Sequence, residues 1–561
     1  MGYTRPRMQL DTPKYWAAAG LSAGLLELPF PLAGPLSPPR SIVAWFALVP
    51  LIWAVMRIAQ SSRHPLRSAF LVGHVCGVLW YAGNCYWIYY TMLIHGPLPP
   101  LLSALVLLLF SLVLGAYFGL FALGLALVQR RTGSTYLALA LAPFLWTAID
   151  LAAARITCVP WDQLGYSQVD NALVTQLAPW TGVYGIGFLL VAVNALLAAG
   201  LLPPRSRHRS RLRRGALPAC GLLLLVGAFR GIFIKPAQPL PNSSAVLIQP
   251  NLNVDTTGFW LKPEEWDQHI ADFKRLAAEQ CKTYIAGIPQ TGAPTGEIVC
   301  PPFPTHPDLV AWPESPAPFF EQEPRFQRSM SAIARASNAP LIVSGVGSDF
   351  QPLAGGWVDH VSAMVYSADG NEIGRYDKIH LVPWGEYVPF PKLFFFARKL
   401  TGKVSNYTPG TMRTVFRLQS ANGDVHRYGI LICYESVFAD EVRHFARNGA
   451  EVLVNLSDDG WYGDTSAPWQ DLNMARMRAI ENRRWLLRDT NNGVTASIDP
   501  YGRVRQSIPR HQVDALPAQF AFRNDITFYT AHGDLFAWLC AIIAAGIIAA
   551  SWSKPGSLQP R

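Results

Sequence analysis

The sequence predicts a multi-span α-helical membrane part followed by a layered α/β domain. Three observations carry that expectation. Half of the 561 residues are hydrophobic and only 15% are charged, against about 25% in an ordinary soluble chain. The deficit is uneven: charges are sparse before about Phe233 and plentiful from Ala245 to Arg523. That second stretch alternates short apolar runs with segments of helical spacing, the pattern of sheets layered against helices.

A helix that crosses a bilayer needs about 20 apolar residues. In chain order the candidates are Tyr15–Leu32, Ile42–Ile58, Ala69–Leu93, Leu101–Val128, Tyr136–Leu151, Gly182–Leu202, Leu217–Ile234 and Leu535–Trp552. No small-residue cleavage site follows the first of them, so a cleaved signal peptide is not expected. Positive charge clusters at Arg5–Lys14, Arg57–Arg67, Arg130-Arg131 and Arg205–Arg214, whereas the loops His95–Pro100 and Thr157–Gln176 carry no Lys or Arg. Basic short loops stay in the cytoplasm. Arg40 is the one exception, in the first outside loop. The expected organisation is a membrane domain of about seven helices over 1–234, an extracytoplasmic domain over 235–530, and a final span with a cytoplasmic tail over 531–561. The net charge of +10 is thus accounted for by membrane orientation. Nucleic acid is not expected as a partner, because no basic groove with interleaved aromatics is present.

Within the polar region, Ala245–Gln249 reads as a strand and Glu264–Glu279 as a helix. Leu309–Trp312 reads as a strand, Pro324–Ser337 as a helix and Leu341–Gly345 as a strand. Ser362–Ser367 and Glu372–Tyr376 flank Ala368-Asp369-Gly370-Asn371, a hairpin signal. Strand Tyr428–Ile432, helix Val437–Asn448, strand Val452–Leu456 and helix Gln470–Arg483 follow. Trp485–Arg488 and Thr495–Ile498 are late strands, and Asp499-Pro500-Tyr501-Gly502 is a turn.

Eight cysteines are present. Cys76, Cys85, Cys158, Cys220 and Cys540 lie in or beside apolar segments and read as small buried hydrophobes. No CxxC occurs, so no zinc site is expected. Cys281 and Cys300 flank a Gly/Pro/Thr-rich stretch and are candidates for a disulfide if that stretch faces an oxidising compartment.

Cys433 is different. It ends the run Tyr428–Ile432 and precedes a helix-like segment, which places a thiol at a strand–turn–helix junction. Glu314 follows Leu309–Trp312, and Lys378 follows Glu372–Tyr376. A thiol, a carboxylate and an amine at separate strand ends can support covalent acyl chemistry. A cysteine nucleophile needs a lowered pKa or a neighbouring base, and Glu314 is the candidate base, among the apolar Trp312, Pro313, Pro316, Pro318 and Phe319. Lys378 is the candidate partner of the thiolate and the oxyanion. Taken singly, each of the three also fits an inert place in an ordinary domain.

The flanking motifs combine them. Ala311-Trp312-Pro313-Glu314-Ser315, the run Tyr376-Asp377-Lys378-Ile379-His380-Leu381-Val382-Pro383-Trp384-Gly385-Glu386-Tyr387-Val388-Pro389, and Ile432-Cys433-Tyr434-Glu435 resemble the nitrilase superfamily of carbon–nitrogen hydrolases in order and context. The resemblance implies an αββα sandwich with Glu314, Lys378 and Cys433 as catalytic residues. Gly385–Pro389, Met474–Asn482 and Pro160–Gln168, together with the membrane segments, narrow the likeness to the apolipoprotein N-acyltransferase family.

This likeness implies a bacterial inner-membrane enzyme, catalytic on the periplasmic side, that uses no cofactor or metal. It would pass an acyl group from the sn-1 position of a phospholipid through a Cys433 thioester to the α-amine of a diacylglyceryl-cysteine lipoprotein. Glu386 would support Lys378 and the thiol. Trp260, Tyr434 and Glu435 would shape the substrate site. From its residues alone, the aromatic stretch Phe390–Phe396 reads as a membrane-facing loop rather than domain core, because a Pro-rich turn precedes it, and Arg398, Lys399 and Lys403 either meet lipid phosphates or are solvated. Two departures from the family pattern stand out: Ser457-Asp458-Asp459 before Gly460-Trp461-Tyr462-Gly463, and Gln470-Asp471 in place of a frequent Gln-His. The stretch 281–306 reads as an insertion. A membrane-tethered nitrilase-type amidase and a non-catalytic scaffold are the alternative readings.

Overall fold

The computed structural model describes residues 13–96, 98–202, 210–234, 239–252, 254, 271, 307–314, 319–351, 356–388, 406–420 and 423–553. Trp260, most of the expected helix 264–279, Cys281, Cys300, the insertion 281–306, Phe390–Phe396, Arg398, Lys399 and Lys403 lie outside the described residues.

Helices occupy all eight apolar segments: Pro13–Glu27, Val49–Ser61, Pro65–Asn84 with Trp87–Ile94, Pro100–Thr132, Thr135–Arg155, Val183–Leu201, Ser210–Gly231 and Leu535–Trp552. Among the described residues, five stretches are long and apolar enough to cross a membrane: Pro38–Ser61, Pro100–Thr132, Thr135–Arg155, Val183–Leu201 and Leu535–Trp552. The expected count of about eight is higher because Pro13–Glu27 has only 15 residues. Pro65–Asn84 is diluted by Arg67, His74 and Asn84, and Ala216–Gly231 is short. These five fit a membrane domain. Helices Pro65–Asn84 and Pro100–Thr132 approach backbone to backbone. A Cβ on Gly77 would fall 2.8 Å from the Gly115 Cα, and one on Gly73 would fall 2.5 Å from the Phe118 carbonyl oxygen. Small residues at such a seam let membrane helices pack by close contact.

Among the described residues, the polar region builds twelve strands: β1 Ser243–Gln249, β2 Leu309–Trp312, β3 Leu341–Gln351, β4 Gly356–Tyr366, β5 Glu372–Asp377, β6 Val415–Gln419, β7 Val425–Ile432, β8 Val452–Ser457, β9 Trp485–Thr490, β10 Thr495–Ile498, β11 Val504–Ile508 and β12 Asp514–Phe520. They form two six-stranded sheets, ordered β12-β1-β2-β3-β4-β5 and β11-β10-β9-β8-β7-β6. β1, β2 and β3 run parallel, as do β7, β8 and β9.

Side-chain alternation explains the layers. In β1, Ala245 and Leu247 turn into the core shared with Ile430, Ile432 and Val454 of the other sheet. Val246 and Ile248 turn outward onto Phe326, Met330 and Ile333 of helix Pro324–Ser337. Helices Ala439–Arg447 and Ala467–Asn482 cover the opposite sheet, which completes the αββα order.

The expected strands β1, β2, β7, β8, β9 and β10 and the β4–β5 hairpin are present. β6, β11 and β12 were not legible in the sequence. β12 contains Pro517 and lies at a sheet edge, where a proline's missing N–H is tolerated. β3 runs on to Gln351 because its second half pairs antiparallel with β4. Two cysteines correct the reading of a small buried hydrophobe: Cys158 and Cys220 are exposed, whereas Cys76, Cys85 and Cys540 are buried.

Candidate active site

Parallel strands of each sheet end on the same side of the sandwich, and the candidate residues follow those ends. β7 stops at Ile432, and Cys433 opens a short 3-10 turn through Val437. Cys433 has φ 50°, a left-handed conformation that a side chain with a Cβ adopts at a cost.

Glu435 holds that turn in place. Its Oε2 accepts the Ile432 N–H at 2.8 Å. Its Oε1 accepts the Ile379 N–H at 2.6 Å, the His380 N–H at 3.2 Å and the Tyr376 hydroxyl at 2.8 Å. The strap ties the Cys433 turn to the end of β5, where Lys378 sits. Burial pushes the Glu435 carboxyl up and these N–H donors pull it back. Glu435 is 0% exposed, a buried brace of the turn.

Lys378, also 0% exposed, bridges two carboxylates: its Nζ lies 2.9 Å from Glu314 Oε1 and 2.6 Å from Glu386 Oε1. The other oxygen of Glu386 accepts the Val382 N–H at 2.7 Å, which fixes the loop after β5. Burial alone would lower the Lys378 pKa. Glu314, Glu386 and the thiol outweigh it and hold the group well above its ordinary value as an ammonium. For Glu386 burial is the largest influence and raises the carboxyl, against the opposing pull of Lys378.

The Cys433 thiol lies close enough to the Glu314 carboxylate and the Lys378 ammonium to feel both charges. Burial pushes the thiol well above its usual range, the Glu314 charge adds to that rise, and Lys378 opposes it. Of the two routes to a reactive cysteine, a standing thiolate or a base at its side, the arrangement provides the second.

Tyr434 points the other way, toward the membrane part. Its hydroxyl donates to the Cys158 carbonyl at 3.2 Å, and its ring stacks near Trp161 with centroids 6.4 Å apart. The same joint brings together the segments 160–168 and 474–482. Trp161 Nε1 donates to Gln470 Oε1 at 2.9 Å, and Gln470 Nε2 donates to the Asn84 carbonyl at 3.0 Å. Arg478 donates to the Tyr166 hydroxyl at 3.0 Å, Glu481 accepts the Val183 N–H at 2.9 Å, and Arg476 pairs with Asp170.

The two departures from the family pattern share one cation. Buried Arg488, in β9, contacts Asp459 at 2.8 Å, Asp471 at 2.7 Å and Asn455 at 2.6 Å. Asn455 in turn donates to the Cys433 carbonyl at 3.4 Å. Arg488 and Tyr376 are the residues that sequence reasoning missed. A charged residue following Trp485-Leu486-Leu487 in a strand was the available signal, since a buried charge demands a partner.

Away from this site, Asp349, His360 and Asp377 bring ligand atoms within 4.8 Å of one another. Arg375 already pairs with Asp349 and Asp377, each at 2.7 Å, so those carboxylates are charge-compensated without an ion.

Residues 22–196 match the model of the apolipoprotein N-acyltransferase N-terminal domain, and residues 264–515 match that of the carbon-nitrogen hydrolases. An apolipoprotein N-acyltransferase of Geobacter metallireducens is 34% identical, with 99% of each chain covered. One of Chlorobaculum tepidum is 29% identical over 94% of this chain and 95% of its own. Among solved structures, an amidase from Nesterenkonia sp. covers 53% of this chain and 95% of its own, at 16% identity and a TM-score of 0.34. The fold and the matched models define the class: a carbon-nitrogen hydrolase domain carried on a membrane-helix domain. Within that class, the chain belongs to the apolipoprotein N-acyltransferase family, and it is an acyltransferase.

Proposed function

We propose that this protein transfers the sn-1 acyl group of a phospholipid to the N-terminal amine of a diacylglyceryl-cysteine lipoprotein, the last step in maturing that lipoprotein. The observation that carries the reading is the buried Cys433–Glu314–Lys378–Glu386 cluster, whose next residue, Tyr434, rests on the membrane loop. A thiol so placed meets a lipid ester more readily than a soluble amide. The full-length likeness to N-acyltransferases also favours this reading over the amidase.

The Cys433 Sγ attacks the ester carbonyl as Glu314 takes the thiol proton. Lys378 stabilises the oxyanion. The carbonyl re-forms, the ester C–O bond breaks, and Glu314 returns the proton to the departing lysophospholipid alkoxide. A thioester remains. The acceptor amine then attacks the thioester carbonyl, Glu314 takes the amine proton, and the C–S bond breaks. The proton passes to Cys433, so the enzyme ends as it began. Glu386 positions Lys378. Glu435 positions the turn. Tyr434 and Trp260 contact substrate at the entrance.

The proposed organisation is a membrane domain over 1–234, a catalytic domain over 235–530 and a final span within 531–561. It places the catalytic domain on the periplasmic side of the bacterial inner membrane. What supports that orientation is the basic character of the helix ends opposite Cys433. The test is purified protein in detergent with acyl-labelled phospholipid. Wild type should acquire hydroxylamine-labile label that a diacylated lipopeptide discharges onto its amine. Label persisting on Cys433→Ala would falsify the thioester step, and discharge to water alone would return the amidase.

A further inference from the structure

The helix ends farthest from Cys433 form a concave basic site. Helix Pro100–Thr132 begins beside His95, whose ring lies 5.3 Å from Trp461 of the catalytic domain. At about 1.5 Å per residue, its C-terminal arginines lie on the order of 45 Å away. The last helix runs the same course: Asp534, just before it, pairs with Arg155 at 2.5 Å, and Trp552 ends it. Arg131 stacks over the Trp552 ring at 4.3 Å, which joins the two far ends.

A cleft of about 470 Å³ opens there between the start of Pro65–Asn84 and the end of Pro100–Thr132. Arg63, Arg67, Arg130 and Arg131 line it, with Leu66 and Leu127. Segments 57–68 and 127–136, which line it, contain no Asp or Glu, so the lining itself carries no counter-charge. The His64 side chain does not cap the helix that starts at Pro65, which leaves first-turn N–H donors at the rim. Down the same two helices, Leu71 and Leu120 are exposed.

Orientation by positive charge needs only arginines in loops. Here two segments, 63–67 and 127–131, face one cleft, and Arg131 also packs over the Trp552 ring. Four guanidiniums above an apolar flank fit a ligand with a phosphate head and acyl chains. We infer that this cleft binds the headgroup of an anionic membrane phospholipid, at a site separate from the acyl donor's site at Cys433. The apolar flank selects the lipid over free phosphate.

The test is native mass spectrometry of the full-length protein titrated with phosphatidylglycerol. The Arg63→Gln/Arg67→Gln/Arg130→Gln variant should lose at least about tenfold in affinity, and the matching lysine variant should keep most of it. Arg205→Gln/Arg207→Gln/Arg209→Gln removes the same charge from another basic stretch of the sequence and should cost less than about twofold. Thioester formation on Cys433 should persist in all three variants, which reports that they fold and separates this inference from the proposed reaction. Equal losses in the two glutamine variants, equal binding of phosphatidylethanolamine, or displacement of the lipid by inorganic phosphate would each overturn it.

Discussion

Trp161 donates its indole N–H to Gln470 at 2.9 Å, and both side chains are buried. The two residues belong to a membrane loop and a catalytic-domain helix, and the bond lies just behind the turn that carries Cys433. Gln470 also donates to Asn84, so one amide stitches three segments together. Gln470→Leu leaves those groups unpaired and should cost about 1–3 kcal/mol of stability. Thermal unfolding in detergent measures this. A midpoint equal to wild type would show that the joint does not depend on the bond.

Lys378 separates two carboxylates, the buried Glu314 and the partly buried Glu386. Lys378→Met should lower thioester formation at least about a hundredfold, because it removes the oxyanion partner and leaves Glu314 facing Glu386. Lys378→Arg should not restore it, since a planar guanidinium does not fit a site built for a point charge. Single-turnover labelling distinguishes these outcomes, and a wild-type rate in the arginine variant would contradict this account.

The left-handed backbone at Cys433 predicts an unusual order of stabilities. Among inactive variants, Cys433→Gly should be more stable than Cys433→Ala by about 1 kcal/mol, because glycine adopts φ 50° without the Cβ clash. Elsewhere in a strand–turn–helix the alanine variant would be the better one. Urea unfolding of both variants decides the sign.

Arg488→Met should destabilise the protein by about 3–5 kcal/mol, since it leaves Asp459 and Asp471 buried without a cation. Asp459→Asn/Asp471→Asn in the same background should recover part of the loss. No recovery in the triple variant would mean that the packing of Arg488, rather than its charge, matters.

Asp458 gives a pH dependence. Burial raises its carboxyl from 3.8 to about 8, and the nearby Glu314 charge adds to the rise. The folded state therefore binds this proton more tightly than the unfolded chain does. Its contribution to stability is full below 3.8 and is lost as the pH climbs to about 8. Asp458→Asn should flatten the decline across that window in melting curves taken at stepped pH. A slope identical to wild type would assign the dependence to other groups.

Local patterning made the chain's two-part character legible. Apolar segments, basic loops and alternating runs are nearest-neighbour properties, and they located eight helices, of which some are long and apolar enough to cross a membrane, and most of the strands. β6 and β11 escaped because Arg417, Gln419, Arg505 and Gln506 leave them no apolar run, and β12 because it carries Pro517. Glu314, Lys378, Glu386 and Cys433 were singled out by motif and turned up in one cluster, because Glu314, Lys378 and Cys433 follow strand ends that the sandwich gathers and the loop after β5 folds Glu386 back onto Lys378.

Burial and side-chain direction were decided only by the tertiary structure. Tyr434 and Glu435 are adjacent in sequence, yet one faces the membrane loop and the other is sealed beneath the nucleophile turn. The sequence also held Asp459, Asp471 and Arg488 without showing that they meet. A charge can leave water only when its partners are assembled around it, and those partners come from segments that only folding brings together.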